Sequence, residues 1–336
     1  MTMRSMTLSR PAPLPTSPLV RETREIPAPG EGELLLRVGA CGVCRTDLQI
    51  CEGDLDARVL PIVPGHQIVG RVEAVGRGVS GWTIGQRAGV GWLAGTCGVC
   101  SFCRGGRENL CPLARFTGWD RDGGYATHVV VRADFAFALP DGVDDRDVAP
   151  LLCGGVIGYR SLKRSGIKPG GALGLYGFGA SALLTIQVAL HWGCRVYVAT
   201  RSASERDRAR ALGASWAGGY DEMPPSKLDA AITFAPSGDV VVSALRATER
   251  GGTVAINAIH LDRIPSFSYD LLWLERSVIS VANYTRDDAR EFLALAQEIP
   301  LRTATDVFSL DDANEALSRL RRGEINGAAV LCADLR

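Results

Sequence analysis

Hydrophobic positions follow two patterns along the chain. Up to about residue 149, short apolar runs sit between glycines and other turn residues, as at 33–38, 68–75 and 125–131. Short runs punctuated in this way predict strands, and many in succession predict a partly open antiparallel barrel. From 155 to 283, strand-like runs at 172–176, 195–199, 228–234, 252–257 and 277–282 alternate with helix-like stretches such as 180–191 and 204–212. That alternation predicts a doubly wound parallel sheet. A helix at 287–298, a strand at 304–309, a helix at 311–322 and a strand at 327–332 follow. The expected organisation is α/β, with a first domain over 1–154, a second over 155–284 and a return to the first over 285–336. The proline-rich stretch 11–18 reads as a loose lead-in.

The helix-like run at 180–191 opens with a glycine turn. The sequence Gly177-Phe178-Gly179-Ala180-Ser181-Ala182 has the form G-x-G-x-x-A, after a strand and before a helix. In that setting Gly177 permits the tight turn and Gly179 lets the backbone approach a pyrophosphate. Ala182 allows close helix–strand contact, and the phosphates face the helix N-terminus beside Ala180. The second strand of such a unit selects the cofactor. It ends here in Thr200-Arg201-Ser202 without a carboxylate, so Arg201 and the two hydroxyls suit a ribose 2′-phosphate. NADP(H) is therefore expected over NAD(H).

Composition narrows the class. A chain of 336 residues, 46% hydrophobic, can fill two domains of ordinary size. Lys+Arg and Asp+Glu both number 37, so no excess of positive charge recommends a nucleic-acid partner. No apolar run is long enough to cross a bilayer, and the first residues lack the apolar core of a signal peptide. Ten cysteines in such a chain point to a reducing cytoplasm and to metal sites. Cys97, Cys100, Cys103 and Cys111 have the spacing C-x2-C-x2-C-x7-C. Short loops of this kind let four sulfurs converge on one tetrahedral zinc and leave no position open, which makes the site structural. A disulfide framework suits small secreted domains, and a nucleic-acid ribbon brings a basic surface. Neither suits this chain.

The chain resembles zinc-dependent alcohol dehydrogenases of the medium-chain dehydrogenase/reductase family. The resemblance rests on Cys-Gly-Val-Cys-Arg-Thr-Asp at 41–47, Pro-Gly-His at 64–66, the four-cysteine lobe (95–113), Leu-Leu-Cys-Gly-Gly-Val at 151–156 and the glycine turn. It implies a GroES-like, partly open β-barrel catalytic domain joined to a Rossmann cofactor domain. It also implies a second zinc, held by Cys44, His66 and Cys153, whose fourth position is open to substrate as catalysis requires. Without the resemblance these three lie too far apart in sequence to form a motif, and Cys41 and Cys44 alone would suggest redox chemistry. Residue by residue, Thr46 matches the start of a proton relay, Asp47 the carboxylate that orients His66, Arg45 a contact to the cofactor pyrophosphate, and Trp92 a wall of the substrate pocket.

The implied reaction is reversible hydride transfer between a small alcohol or aldehyde and NADP(H) or NAD(H), with two zinc ions per chain. The implied assembly is a homodimer or homotetramer. Two residues depart from the family pattern. Gln67 stands where a glutamate commonly follows the ligating histidine, and Gln49 stands where many members carry a relay histidine. Two rivals share part of the pattern: a zinc-free quinone or enone reductase of the same fold, and a non-catalytic cofactor-binding zinc protein.

Overall fold

The computed structural model describes residues 1–334, which fall into two compact units. The first comprises Met1–Cys153, Thr285–Leu293 and the chain from Arg302 onward. The second comprises Gly154–Tyr284 and Ala294–Leu301.

A sheet of seven strands organises the first unit. Its path runs Thr305–Ser309, Ala328–Cys332, Glu33–Val43, Gln67–Val75, Arg87–Val90 and Ala136–Ala138, and His128–Arg132 pairs with Glu33–Val43 beside that path. All pairs are antiparallel except the first. The strand Glu33–Val43 is the axis of this arrangement. Leu34, Leu36, Val38 and Cys41 on it are buried against Ile68, Val72, Val129 and Val131. Burying each large aliphatic side chain contributes about 1.5–3 kcal/mol. Pairing Gly42 opposite Gln67 then sets the end of one strand beside the start of the next. This register brings Cys44 and His66 together.

The N-terminal stretch departs from expectation. Thr2–Leu8 and Leu19–Glu25 pair as an antiparallel ribbon over their full lengths. The proline-rich segment between them is not loose. It forms a short 3-10 turn over Leu14–Thr16, Leu14 is buried, and its N–H donates to Glu52 Oε1 at 3.3 Å. Prolines at this turn set φ and remove donors that would otherwise need partners, so the segment forms a defined, anchored turn where its composition suggested a loose lead-in.

The second unit is built on six parallel strands in the order Trp216–Gly218, Arg195–Ala199, Ala172–Tyr176, Leu228–Thr233, Thr248–Ile256 and Ser277–Ser280. In chain order this reads third, second, first, fourth, fifth, sixth, the doubly wound order in which the connections reverse beside the first strand. That reversal opens the sheet beyond Tyr176, where the glycine turn follows. Its central strands are buried along most of their length, as sheets covered on both faces require, with Arg195 and Asp229 the exposed exceptions at their starts.

Candidate metal centre and dinucleotide turn

Cys44 ends the axial strand region and caps the helix Arg45–Glu52. Its Sγ accepts from Thr46 N at 3.4 Å, and its own N–H donates to Asp47 Oδ2 at 2.9 Å. This reciprocal cap fixes both side chains with backbone bonds. Asp47 is fully buried, and its other oxygen accepts from Gly65 N at 3.3 Å and pairs with His66 Nδ1 at 3.0 Å. The imidazole is therefore turned so that Nε2 faces Cys44, 3.2 Å from its Sγ. Gly65, at φ +96°, makes this approach possible, because a Cβ there would lie 2.8 Å from Cys41 Sγ. Cys153 follows the 3-10 turn Ala149–Leu152. One ligand atom from each of Cys44, His66 and Cys153 lies within 4.8 Å of the others.

The electrostatics suit a metal. A hydrogen bond from Cys153 and the neighbouring His66 hold the Cys44 thiol well below its ordinary pKa. The same bond, together with burial and the Cys44 charge, pushes Cys153 well above its own. Burial alone would lower His66, but the charges on Cys44 and Asp47 outweigh it and raise the ring. A tetrahedral zinc with Zn–S near 2.3 Å and Zn–N near 2.0 Å separates its donors by about 3.5–3.8 Å. The Cys44–His66 spacing needs only a small expansion to match, so two sulfurs and one imidazole nitrogen fit zinc with one position left over.

The lobe meets the same test with four donors. Its Sγ atoms are 3.5 Å apart for Cys100–Cys103, 3.6 Å for Cys97–Cys111 and 3.9 Å for Cys97–Cys103. Backbone N–H groups of Val99 and Cys100 bring the Cys97 thiol down to about 6. Leu93, Ala114 and Phe135 pack beneath the cysteines.

Other residues singled out from the sequence fall around these centres. Thr46 is half-buried and Arg45 exposed at the start of the same helix, with Gln49 one turn further on. Gln67 is buried, its side chain pressed against the space beside Gly42. The Trp92 ring lies 4.7 Å from the His66 ring, edge to face at 71°. Two further rings went unread in the sequence. Phe116 and Trp119 stack with Trp92 at 5.0 and 5.7 Å. Their signal was the turn Phe116-Thr117-Gly118-Trp119, where Gly118 has φ +75° and packs against Gly65.

In the second unit, Gly177 has φ +92°, and a Cβ there would come within 2.9 Å of Ala235 N. Gly179 caps the helix Ala180–His191 and is open to solvent, while Ala182 is fully buried. The end of the second strand holds a charge that the sequence reading did not place there. The Thr200 hydroxyl donates to the carboxylate of Glu205. Glu205 is brought back by the turn in which Ser202 caps the helix Ala203–Ala211. Arg206 also folds back, its Nη1 donating to Thr200 O at 2.8 Å and Arg201 O at 3.1 Å. Arg201 is exposed. This strand end therefore carries two guanidiniums and one carboxylate.

Comparison with known proteins agrees in both units. Residues 30–141 match the alcohol dehydrogenase GroES-like domain, and residues 182–298 match the zinc-binding dehydrogenase domain. A probable alcohol dehydrogenase, AdhA, of Mycobacterium tuberculosis is 50% identical, over 98% of this chain and 97% of its own. Among solved structures, the cobalt- and zinc-bound thermostable alcohol dehydrogenase of Pyrobaculum aerophilum is 27% identical, with a TM-score of 0.88 over 99% of this chain and 100% of its own. A zinc-binding dehydrogenase of Sinorhizobium meliloti bound to NADP is 27% identical, with a TM-score of 0.86 over 99% of both chains.

Proposed function

The chain belongs to the zinc-dependent, NAD(P)-dependent alcohol dehydrogenases of the medium-chain dehydrogenase/reductase family, and from that premise we propose which residues do the work. The observation that carries the reading is the convergence of Cys44, His66 and Cys153 on one point, with Asp47 holding the far nitrogen of the imidazole. Zinc bound there supplies a Lewis acid that acidifies an alcohol hydroxyl or polarises a carbonyl, and the nicotinamide supplies the partner for hydride transfer. Thr46 takes the hydroxyl proton. Asp47 keeps His66 in its ligating orientation, as a buried carboxylate on a metal-bound histidine does. Gln49 does not titrate near neutral pH as a histidine there would, so a proton passed to Thr46 would have to leave by a route other than this side chain.

Gly177, Gly179, Ala180 and Ala182 form the pyrophosphate cradle. Arg201, with Thr200 and Ser202, takes the adenosine ribose and prefers a 2′-phosphate. The two guanidiniums there outnumber the one carboxylate, and the Sinorhizobium relative binds NADP. Trp92 lines the substrate space. The lobe cysteines hold a second, structural zinc, giving two per chain. The protein works as a homodimer or homotetramer in a reducing cytoplasm. Support for assembly is the edge strand Ser277–Ser280, which has one neighbour among the described residues and lies close in sequence to Tyr269 and Trp273, 65% and 55% exposed. None of the ten cysteines is in a disulfide, consistent with such a compartment.

The test is a screen of primary, secondary and aromatic alcohols and aldehydes with both nicotinamides, on the wild type and Cys44→Ser. Turnover is expected in the wild type and should fall by roughly three orders of magnitude or more in the variant. Near-normal turnover in Cys44→Ser would falsify the assignment. A wild type that binds nicotinamide but turns over none of these substrates would favour the non-catalytic rival.

A further inference from the structure

Between the helix Arg45–Glu52 and Pro61 a short exposed loop carries Asp56 and Arg58. Three contacts fasten it to the turn that bears Phe116 and Trp119. The Arg58 guanidinium lies 3.7 Å from the centre of the Trp119 ring and 5.5 Å from that of Phe116. Its Nη1 donates to both oxygens of Asp120, at 3.3 and 3.2 Å. Trp119 Nε1 donates to Asp56 O at 2.8 Å.

Asp120 is the anchor of this arrangement. Its side chain is 1% exposed, and it also accepts from Phe116 N at 2.9 Å and from Arg115 Nη1 at 3.2 Å. The Trp92 plane is inclined only 21° to Phe116 and 17° to Trp119, Phe116 and Trp119 are tilted by 34° to each other at 5.7 Å, and Trp92 also meets the His66 ring edge to face. A cluster of three rings in mutual contact thus reaches from the His66 imidazole to the Arg58 guanidinium. Rings stacked so closely cannot turn independently. The cation over Trp119 adds attraction to the ring face and holds its orientation.

We infer that Arg58 is a specificity-determining positioning residue, which locks Trp119 and through it the Trp92 wall, so that the enzyme favours planar aromatic primary alcohols and aldehydes over small aliphatic ones. The inference rests on the dehydrogenase reading above. A flat substrate gains offset stacking on a fixed wall. A two-carbon alcohol, too small to cover the rings, gains little and is less sensitive to their order. Replacing Arg58 leaves Asp120 with Arg115 and the Phe116 N–H, so no buried carboxylate is stranded.

The experiment compares kcat/KM for benzyl alcohol and for ethanol in the wild type, Arg58→Ala and Arg58→Lys, with zinc content measured on each. In Arg58→Ala the benzyl-to-ethanol ratio is expected to fall about 5–10-fold, mainly through a higher KM for benzyl alcohol. Zinc should be unchanged, and Arg58→Lys should recover part of the loss because it keeps the cation but not the fork. An unchanged ratio overturns the inference, as does an equal fall for both alcohols accompanied by zinc loss. A wild type inactive on both alcohols with either nicotinamide sinks the dehydrogenase reading instead. Quenching of tryptophan fluorescence by benzyl alcohol then still reads the wall: weaker binding in Arg58→Ala supports the lock, and equal binding refutes it.

Discussion

Asp47 shows how much one buried carboxylate organises. It takes hydrogen bonds from Cys44 N and Gly65 N, which flank the two strand ends, and from the ring between them. Burial raises its pKa while His66 pulls it back. The three donor groups then divide their protons unequally. Cys44 is held low, while Cys153 and His66 are held high, so the metal-free site keeps protons that zinc must displace to bind two thiolates and a neutral imidazole. Zinc affinity should therefore weaken as pH falls. Recovery of alcohol turnover as zinc is added back to stripped protein at several pH values reads this. A half-recovery concentration that does not move with pH would contradict it.

Elements decide which of these charges meet. The second parallel strand ends at Ala199, and the turn that caps the following helix returns Glu205 to Thr200. That carboxylate opposes a 2′-phosphate, while Arg201 and Arg206 favour one. On the reading proposed above, the cofactor preference hangs chiefly on the exposed guanidinium of Arg201, since Arg206 is hydrogen-bonded to backbone carbonyls. Arg201→Asp should lower the NADP-to-NAD ratio of kcat/KM by about tenfold or more, as swapping attraction for repulsion at a phosphate implies. A wild type that prefers NAD would show that Glu205 governs this strand end. The sequence was readable here only as far as the strand. Alternating apolar runs revealed the parallel sheet, and Gly177 revealed its turn because the turn needs positive φ. Glu205 was missed because its approach depends on a helix cap. The N-terminal ribbon was missed for a related reason: Ser5 and Thr7 are polar yet buried, so both faces of the strand are covered and the apolar–polar alternation is blurred. The four lobe cysteines declared themselves by spacing. Cys44 and His66, 22 residues apart, are joined by the Gly42–Gln67 register and were legible only through family resemblance. Phe116 and Trp119 have no periodic signal at all.

At the scale of the whole molecule, each unit holds its own part of the chemistry. The first contains both cysteine clusters, and the second contains the glycine turn. Six of the ten cysteines belong to those clusters. Cys41, Cys51, Cys194 and Cys332 are buried, and burial raises the thiol pKa of each, to about 11 for Cys332. Buried thiols of this kind are inert packing groups, which leaves the two clusters as the reactive sulfur of the protein. On the proposed reading one cluster is a closed zinc site and the other an open one. Anomalous scattering at the zinc edge, from crystals grown with zinc, tests this. Two peaks per chain are expected, one among the four lobe sulfurs and one between Cys44, His66 and Cys153. A single peak in the lobe, with the three-donor site empty, would contradict it.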